Sequence, residues 1–115
     1  MRSIAATARF GSATKITGVY ERVDGDKLQV LIKTDGVVGP YTHFTLKGPD
    51  RLVIDFLGLK TDSKQTAFPV NKMGLAQVRL GEHSDKTRVV LDFSGPIPKF
   101  SFLLAKGGLR VTITP

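Results

Sequence analysis

The sequence predicts an all-β fold, a sandwich or small barrel of about eight short strands. Short runs that favour strands recur along most of the 115 residues, and Gly-rich turn signals separate them at short, regular spacing. No stretch has a convincing helical periodicity. A chain of this length is large enough for one hydrophobic core and too short for two. We therefore expect one cooperative β domain.

The first half of the chain predicts two β-hairpins. The first joins "ITGVYER" (16–22) to "KLQVLIKTD" (27–35) through Asp24-Gly25, and an Asp-Gly pair is a strong signal for a tight hairpin turn. The second joins "YTHFTL" (41–46) to "RLVIDF" (51–56) through the turn "KGPD". These four runs are the first four predicted strands.

The second half predicts two more hairpins after a polar link, "KTDSKQTAFPVNK" (60–72). The third hairpin joins "LAQVRLG" (75–81) to "TRVVLDF" (87–93) around the loop "EHSDK". The fourth joins "KFSFLLA" (99–105) to "LRVTIT" (109–114) through "KGG". The hairpins of this half bring the predicted number of strands to eight.

Two echoes between the halves suggest an internal duplication. The run "VLI" (30–32) returns as "VVL" (89–91), and Phe44 with Leu46 returns as Phe102 with Leu104 (102 minus 44 is 58). We interpret them as two halves of about 45 residues, each a pair of hairpins, which predicts two pseudo-symmetric antiparallel sheets. The alternative is that unrelated β-strands have converged on similar apolar sequences.

A shorter repeat places Arg and Asp inside apolar runs: "RLVIDFLG" (51–58) returns as "RVVLDFSG" (88–95). Alternate side chains of a strand face opposite sides of the sheet. The inward set is Leu52, Ile54 and Phe56 in the first copy and Val89, Leu91 and Phe93 in the second. The outward set is Arg51, Val53, Asp55, Arg88, Val90 and Asp92, together with Arg79 of the strand before.

This outward set has two interpretations. One is cross-strand Arg–Asp pairing on an exposed sheet, which contributes a few tenths to about 1 kcal/mol per pair. The other is a ligand-binding face, in which Arg forks and Asp acceptors address polar groups of a ligand and Val53 and Val90 form an apolar floor. In both cases we expect replacement of Arg51 and Arg88 by Ala to change stability by no more than about 1 kcal/mol.

The composition argues against catalysis. The chain has no Cys, so cysteine nucleophiles and thiolate metal sites are excluded. The His and Glu residues, His43, His83, Glu21 and Glu82, lack a metal-ligand spacing. No serine elbow and no Gly-rich phosphate loop is present. We therefore expect no enzyme, no metal and no cofactor.

The net charge of +7 raises the question of nucleic-acid or membrane binding. Arg2, Arg9 and Lys15 lie in the first fifteen residues without an acid, while the other fourteen bases are interspersed with the ten acids. We expect residues 1–14 to be a flexible tail, or residues added ahead of an excised domain, and residues 15–115 to form the domain. No apolar run has the length of a signal peptide core or a bilayer span.

Two alternative functions concern binding. A small basic β domain of the OB type would bind single-stranded nucleic acid through outward aromatics beside Lys or Arg. Most Phe residues here follow the apolar alternation of a core, and only Tyr20 and Tyr41 have a polar tip. The other alternative is a protein-docking module whose strand edges accept a strand of a partner.

Several of these runs resemble the AMIN domain, a non-catalytic module of bacterial cell-wall amidases, pilus secretins and related envelope proteins. The matching words are "RLVIDF" with Gly58, "LAQVRLGEHSDKTRVVLDFSG" and "FSFLLAKGGLRVTITP", which extend over most of the chain from about Ile16 to Thr114. The resemblance implies a fold of two small symmetric β-sheets that pack together, in agreement with the duplication.

In function, the resemblance implies a targeting module that binds peptidoglycan, has no catalytic activity and localises an amidase or secretin-type parent in the periplasm. A signal peptide would then be missing from this fragment. The expected partners are peptidoglycan and other envelope proteins, with no nucleic acid and no membrane span. The ligand-binding positions that match the family motif are Arg51, Val53, Asp55, Arg79, Arg88, Val90 and Asp92.

Overall fold

A computed structural model describes residues 11–115 as a sandwich of two five-stranded sheets. The predicted all-β class is confirmed, and the described residues form no helix. None of them forms a helix long and apolar enough to cross a membrane. The predicted tail, 1–14, lies mostly outside the described residues.

The strand number is ten rather than the predicted eight. The strands are β1 (Lys15–Asp24), β2 (Lys27–Thr34), β3 (Tyr41–Leu46), β4 (Arg51–Leu57), β5 (Lys60–Thr61), β6 (Ala67–Lys72), β7 (Leu75–Glu82), β8 (Lys86–Phe93), β9 (Lys99–Ala105) and β10 (Gly108–Thr114). All four predicted hairpins are present as antiparallel pairs: β1–β2, β3–β4, β7–β8 and β9–β10.

Sheet I has the order β5-β1-β2-β10-β9, and sheet II has the order β3-β4-β8-β7-β6. Each sheet therefore combines one hairpin from the first half of the chain with one from the second. The central contacts between halves are β2 with β10 in sheet I and β4 with β8 in sheet II. Neither half forms a sheet by itself, since each sheet needs strands from both halves.

The two additional strands lie in the segment that was predicted to be a polar link. Strand β5 is only two residues long and pairs in parallel with the beginning of β1. Strand β6 pairs with β7 and is interrupted by an irregularity between Pro69 and Lys72. Short length and an internal proline both weaken the strand pattern, and proline in a sheet is found mainly on edge strands. Both additions are edge strands.

The strand orders and the register support the internal duplication. Without β5 and β6, the order β1-β2-β10-β9 becomes β7-β8-β4-β3 when each strand is replaced by its counterpart in the other half. The pairing of β1 with β2 shifts register between Ile16 and Gly18, and that of β7 with β8 shifts between Leu75 and Gln77. These irregularities are 59 residues apart at both positions (16 to 75 and 18 to 77). A β-bulge is a specific structural feature and not a random defect of a strand. Its presence at equivalent places in both halves therefore favours a common origin of the halves over coincidence.

One of the predicted echoes was misaligned by one residue. Phe44 lies opposite the outward-facing Val53, whereas Phe102 lies opposite the core residue Val111. The two Phe side chains therefore face opposite sides of their sheets. A shift of one residue in a strand exchanges its two faces, so identity of residue type was misleading here.

The core lies between the sheets and is built from the alternating inward residues of the central strands. The predicted inward residues Leu52, Ile54, Phe56, Val89, Leu91 and Phe93 are all buried. Their counterparts in sheet I are Leu28, Val30, Ile32, Leu109, Val111 and Ile113, which are fully buried. Gly108 begins β10 with φ +153°, and a Cβ there would lie 2.2 Å from the carbonyl oxygen of Ile32. The approach of β10 to β2 requires glycine at this position.

The beginning of the described chain is attached to the loop between β2 and β3. The backbone amides of Ser12 and Ala13 both donate to the carbonyl oxygen of Val37 at 2.9 Å. The carboxylate of Asp35 accepts hydrogen bonds from the amides of Thr14 and Lys15 and from the Thr14 hydroxyl. Residues 12–14, assigned to the tail by the sequence, are thus hydrogen-bonded to the domain.

Candidate functional site

The repeated Arg-x-x-x-Asp segment lies in β4 and β8, which are adjacent strands of sheet II. Strands β4 and β8 run antiparallel with Val53 opposite Val90, Arg51 opposite Asp92 and Asp55 opposite Arg88. Two copies of one Arg-x-x-x-Asp pattern in antiparallel strands place each Arg across from the Asp of the other copy when their middle residues are paired, as Val53 and Val90 are here. The repeat therefore encodes two complementary cross-strand pairs on the outer face of sheet II.

Asp55 and Arg88 form one of these pairs. The Arg88 guanidinium donates from Nε to Asp55 Oδ1 at 2.9 Å and from Nη2 to Oδ2 at 3.0 Å. Lys86 Nζ lies 3.3 Å from the same Oδ2. The Arg88 guanidinium carbon also lies 5.4 Å from the centre of the Phe44 ring on β3. Arg88 thus reaches across β4 and is held by the carboxylate and by a cation–π contact.

The second pair is not made by the residue that the ladder places opposite Asp92. Arg79, from β7, donates from Nε to Asp92 Oδ2 at 2.6 Å and from Nη2 to Oδ1 at 2.9 Å. Gln77 adds a hydrogen bond from Nε2 to Oδ2 at 3.0 Å. Arg51 forms no ion pair within residues 11–115, and its buried Nε has no hydrogen-bond partner there. Arg51 Nε is therefore a donor that the described domain leaves unused.

All seven predicted site residues lie on this outer face, but two of them are less accessible than the sequence predicted. Asp55 and Val53 point outward from β4, as predicted, and both are nevertheless buried. Strand β4 lies between β3 and β8, and long side chains from these neighbours cover its centre. The expectation of an Arg–Asp stripe that is exposed throughout is wrong for Asp55, because Arg88 covers it.

The two pairs change the ionisation of their members. The Arg88 hydrogen bonds are the main cause that holds the pKa of Asp55 below its ordinary value, against the opposite effect of burial. The hydrogen bonds from Arg79 lower the pKa of Asp92 in the same way, with smaller contributions from Gln77 and Arg51. The pKa values of Arg79 and Arg88 are raised. Both pairs are therefore fully charged at neutral pH.

Four residues that were not predicted belong to the same face. Phe44 and Leu46 of β3 lie beside Val53 and Arg51 and are partly exposed, and Gln77 and Lys86 contact the two carboxylates. The alternation in "YTHFTL" shows that Phe44 and Leu46 share a face. It does not say which face, because that depends on the register with β4.

The histidines and acids of the described chain are the residues that a metal site would use. No group of three or more His, Asp or Glu residues that could hold a metal ion occurs within residues 11–115. His43 packs its ring against Phe102 at 4.7 Å and Phe100 at 6.0 Å between centroids, in a cluster that also includes Tyr41. This cluster lies between the edge strands β3 and β9 and holds the two sheets together at that side.

The outer face of sheet II presents fixed guanidinium groups beside apolar side chains. The hydrogen bonds of Arg79 and Arg88 to carboxylates use Nε and Nη2, which leaves both Nη1 groups directed away from their Asp partners. Val90 and Phe44 provide an apolar surface between them, above the buried Val53. A fixed guanidinium beside an apolar surface can recognise carbonyl, hydroxyl or carboxylate oxygens on a ring or chain that lies flat.

Comparison with known protein families identifies a match over most of the chain. A family model described as "AMIN domain" matches residues 19–114. No curated protein matches the chain. The matched residues include all ten strands except the beginning of β1, and they include the whole outer face of sheet II.

Proposed function

Because the chain belongs to the AMIN domain family, we propose that it is a peptidoglycan-binding module that localises its parent protein in the bacterial cell envelope. AMIN domains are non-catalytic modules that bind peptidoglycan in amidases and secretins. For this chain we propose an amidase or secretin-type parent in the periplasm and no enzymatic activity of its own.

We propose the outer face of sheet II as the binding face, with Arg51, Val53, Asp55, Arg79, Arg88, Val90 and Asp92 as its residues. The observation that carries the proposal is the pair of bidentate Arg–Asp contacts, which holds two guanidinium groups in fixed orientations beside an apolar surface. Preorganised donors lose little side-chain entropy when they bind. Asp55 and Asp92 act here as positioning residues for Arg88 and Arg79.

The chemistry of peptidoglycan matches such a face. Its glycan strands carry hydroxyl and acetamido groups, and its stem peptides carry amides and carboxylates. Arg Nη1 groups can donate to all these oxygens, and Phe44 can pack against the apolar face of a sugar ring. A shallow face implies weak single sites, so retention on a polymer depends on many equivalent sites or on an oligomeric parent.

The test is co-sedimentation of the purified domain with isolated sacculi. The informative variant is Arg51→Gln with Arg79→Gln, because neither Arg contacts the buried Asp55 and loss of folding is avoided. The charge-matched control is Lys27→Gln with Lys106→Gln, at the turns of sheet I. We expect the Arg variant to bind much less than wild type and the control to bind like wild type.

Two results would contradict the proposal. Absence of wild-type binding to sacculi would contradict the function, and equal loss in the control would contradict the site. Arg51→Lys with Arg79→Lys separates shape from charge, since Lys keeps the charge but lacks the planar fork. Partial recovery supports bidentate or planar recognition, whereas full recovery supports diffuse attraction that added salt should abolish.

A protein-docking function is the second candidate, and the open edges of β3 and β9 favour it. Strands β3 and β9 end their sheets on the same side of the sandwich, while β5 and β6 occupy the other edges. Strand β3, "YTHFTL", has no Lys, Pro or bulge of the kind that protects an edge from pairing. If the domain captured a defined envelope protein and did not bind sacculi, the protein-docking function would be favoured over peptidoglycan binding.

A further inference from the structure

The outer face of sheet I carries a cross-strand row of three apolar side chains and one Arg. Tyr20, Leu31, Arg110 and Leu103 lie directly opposite one another across β1, β2, β10 and β9. Tyr20 and Leu103, at the two ends of this row, are 56% and 58% exposed, the highest values among the large hydrophobic residues of the described chain. A shallow cavity of about 340 Å³ on this side of the sheet is lined by Tyr20, Glu21, Arg22, Gln29, Leu31 and Arg110.

Arg and Lys side chains lie beside this row. Unlike Arg79 and Arg88 on sheet II, they are not paired with carboxylates of the described chain. The neighbouring positions include Arg22 and Lys33, which with Arg110 form no ion pair within residues 11–115. Arg22 donates from Nη2 to Gln29 Oε1 at 3.1 Å, and Lys33 Nζ lies 5.9 Å from the centre of the Tyr20 ring. These contacts orient the cations and leave their charges uncompensated.

The acids of the strands in sheet I do not neutralise this face. They are Glu21 and Asp24. Glu21 lies opposite the core residue Val30 and pairs with Lys72 of β6 at 2.9 Å, so its carboxylate is directed toward sheet II. Asp24 lies at the end of β1, opposite Lys27. The centre of the outer face is thus cationic and apolar at once.

We propose that the outer face of sheet I docks on the surface of an anionic lipid bilayer. Arg and Lys residues near such a surface are attracted by the lipid phosphates, and Tyr is favoured at the boundary between headgroups and acyl chains. The side chains of neighbouring strands on one face of a sheet reach about the same plane, so the three cations and the apolar row contact a flat surface together. Interfacial binding requires this combination of buried apolar area and positive charge.

The apolar row favours a bilayer over a soluble polyanion such as nucleic acid. A polyanion would neutralise Arg22, Lys33 and Arg110, but it would leave Leu31 and Leu103 in water or against phosphates. A bilayer accepts both kinds of side chain. Because the outer faces of sheets I and II point in opposite directions, the domain would present sheet I to a membrane while sheet II remains free for another ligand.

The chain contains no Trp, which permits a single-tryptophan test. Tyr20→Trp reports on sheet I, and Phe44→Trp is the matched reporter on sheet II. Each is mixed with vesicles of phosphatidylcholine alone or of phosphatidylcholine with phosphatidylglycerol (about 3:1). For the Tyr20→Trp protein we expect a blue shift of the tryptophan emission with the anionic vesicles at low salt and a much smaller shift with neutral vesicles. For the Phe44→Trp protein we expect no shift with either.

Charge variants test the same surface by vesicle flotation. Arg22→Gln with Arg110→Gln should weaken binding about 30-fold, since each cation near an anionic surface contributes roughly a fivefold change in affinity. Lys47→Gln with Lys64→Gln, which lie off this face, lowers the net charge equally and should have a much smaller effect. Leu103→Ser, at an exposed position, should weaken binding without a change in charge.

Each of the following results would overturn the proposal: no binding of wild type to anionic vesicles at low salt, equal binding to neutral vesicles, or equal loss in the Lys control. Binding to single-stranded DNA or to sacculi that depends on Arg22 and Arg110, without vesicle binding, would assign the face to a polymer instead. The vesicle assays contain no peptidoglycan, so their outcome is independent of the function proposed for sheet II.

Discussion

Replacement of Arg88 by Ala should destabilise the domain by about 2 kcal/mol, which revises the limit of about 1 kcal/mol expected from the sequence for an exposed pair. Arg88 makes two hydrogen bonds of 2.9 and 3.0 Å to Asp55, whose side chain is 7% exposed. Breaking a fully buried pair costs about 3–5 kcal/mol, and an exposed pair contributes at most about 1 kcal/mol. Arg88 itself is 35% exposed and Lys86 stays beside Asp55, so the expected cost lies between these limits.

The matched control is Arg79→Ala. Arg79 also forms a bidentate pair, but it is 46% exposed, and its partner Asp92 retains Gln77 and the nearby charge of Arg51. We expect a loss of about 1 kcal/mol or less. Urea unfolding followed by far-UV circular dichroism gives both free energies, provided that the slopes with denaturant stay equal. For a domain of this size, 2 kcal/mol corresponds to a decrease in Tm of roughly 8 °C.

A double variant separates the loss of the pair from the loss of packing. Asp55→Val with Arg88→Val removes both charges and keeps residues that favour strands, so it should be more stable than Arg88→Ala alone. If Arg88→Ala costs no more than Arg79→Ala, the argument that Asp55 depends on Arg88 is wrong.

Two further predictions concern pH and the backbone. Hydrogen bonds to Thr14 and Lys15 lower the pKa of Asp35 from 3.8 to about 2, and the pKa values of Asp55 and Asp92 are also lowered. Carboxylates with lowered pKa values in the folded state contribute stability above the unfolded pKa near 4 and lose it as pH falls toward 2, so the free energy of unfolding should decrease in this window. Asp35→Asn with Asp55→Asn should flatten the pH dependence, and an unchanged curve would contradict the assignment. Gly108→Ala should destabilise the domain by about 2 kcal/mol or more in urea unfolding, because its Cβ would lie 2.2 Å from the Ile32 carbonyl oxygen. Gly58→Ala, at φ +75° with no atom near its Cβ, should destabilise it by about 1 kcal/mol. Equal costs would show that close contact with β2 does not limit Gly108.

The strands with clear turn signals could be predicted from the sequence, and those without them could not. Asp24-Gly25 and the alternation in "TRVVLDF" are local properties, and the hairpins that they predict are present. In the described sheets, strand β5 pairs only with β1, which lies more than 40 residues earlier in the chain. Such long-range pairing leaves little trace in a two-residue strand.

The candidate site divides in the same way. Alternation placed Arg51, Asp55, Arg88 and Asp92 on the outer side of their strands, where they lie. It could not predict that Asp92 pairs with Arg79 and not with Arg51, because that pairing depends on the diagonal distance between side chains of β7 and β8. The burial of Asp55 was also missed, since it depends on how far Arg88 extends over β4.

The most direct test of the central claim is a titration of the 15N-labelled domain with soluble muropeptides, followed by the shifts of backbone amide resonances. If the outer face of sheet II binds peptidoglycan, the shifts should saturate and concentrate in β4, β7 and β8, around Arg51, Arg79 and Arg88. The Arg51→Gln, Arg79→Gln protein should show much smaller shifts under the same conditions. An absence of shifts, or shifts confined to strands of sheet I, would contradict the account.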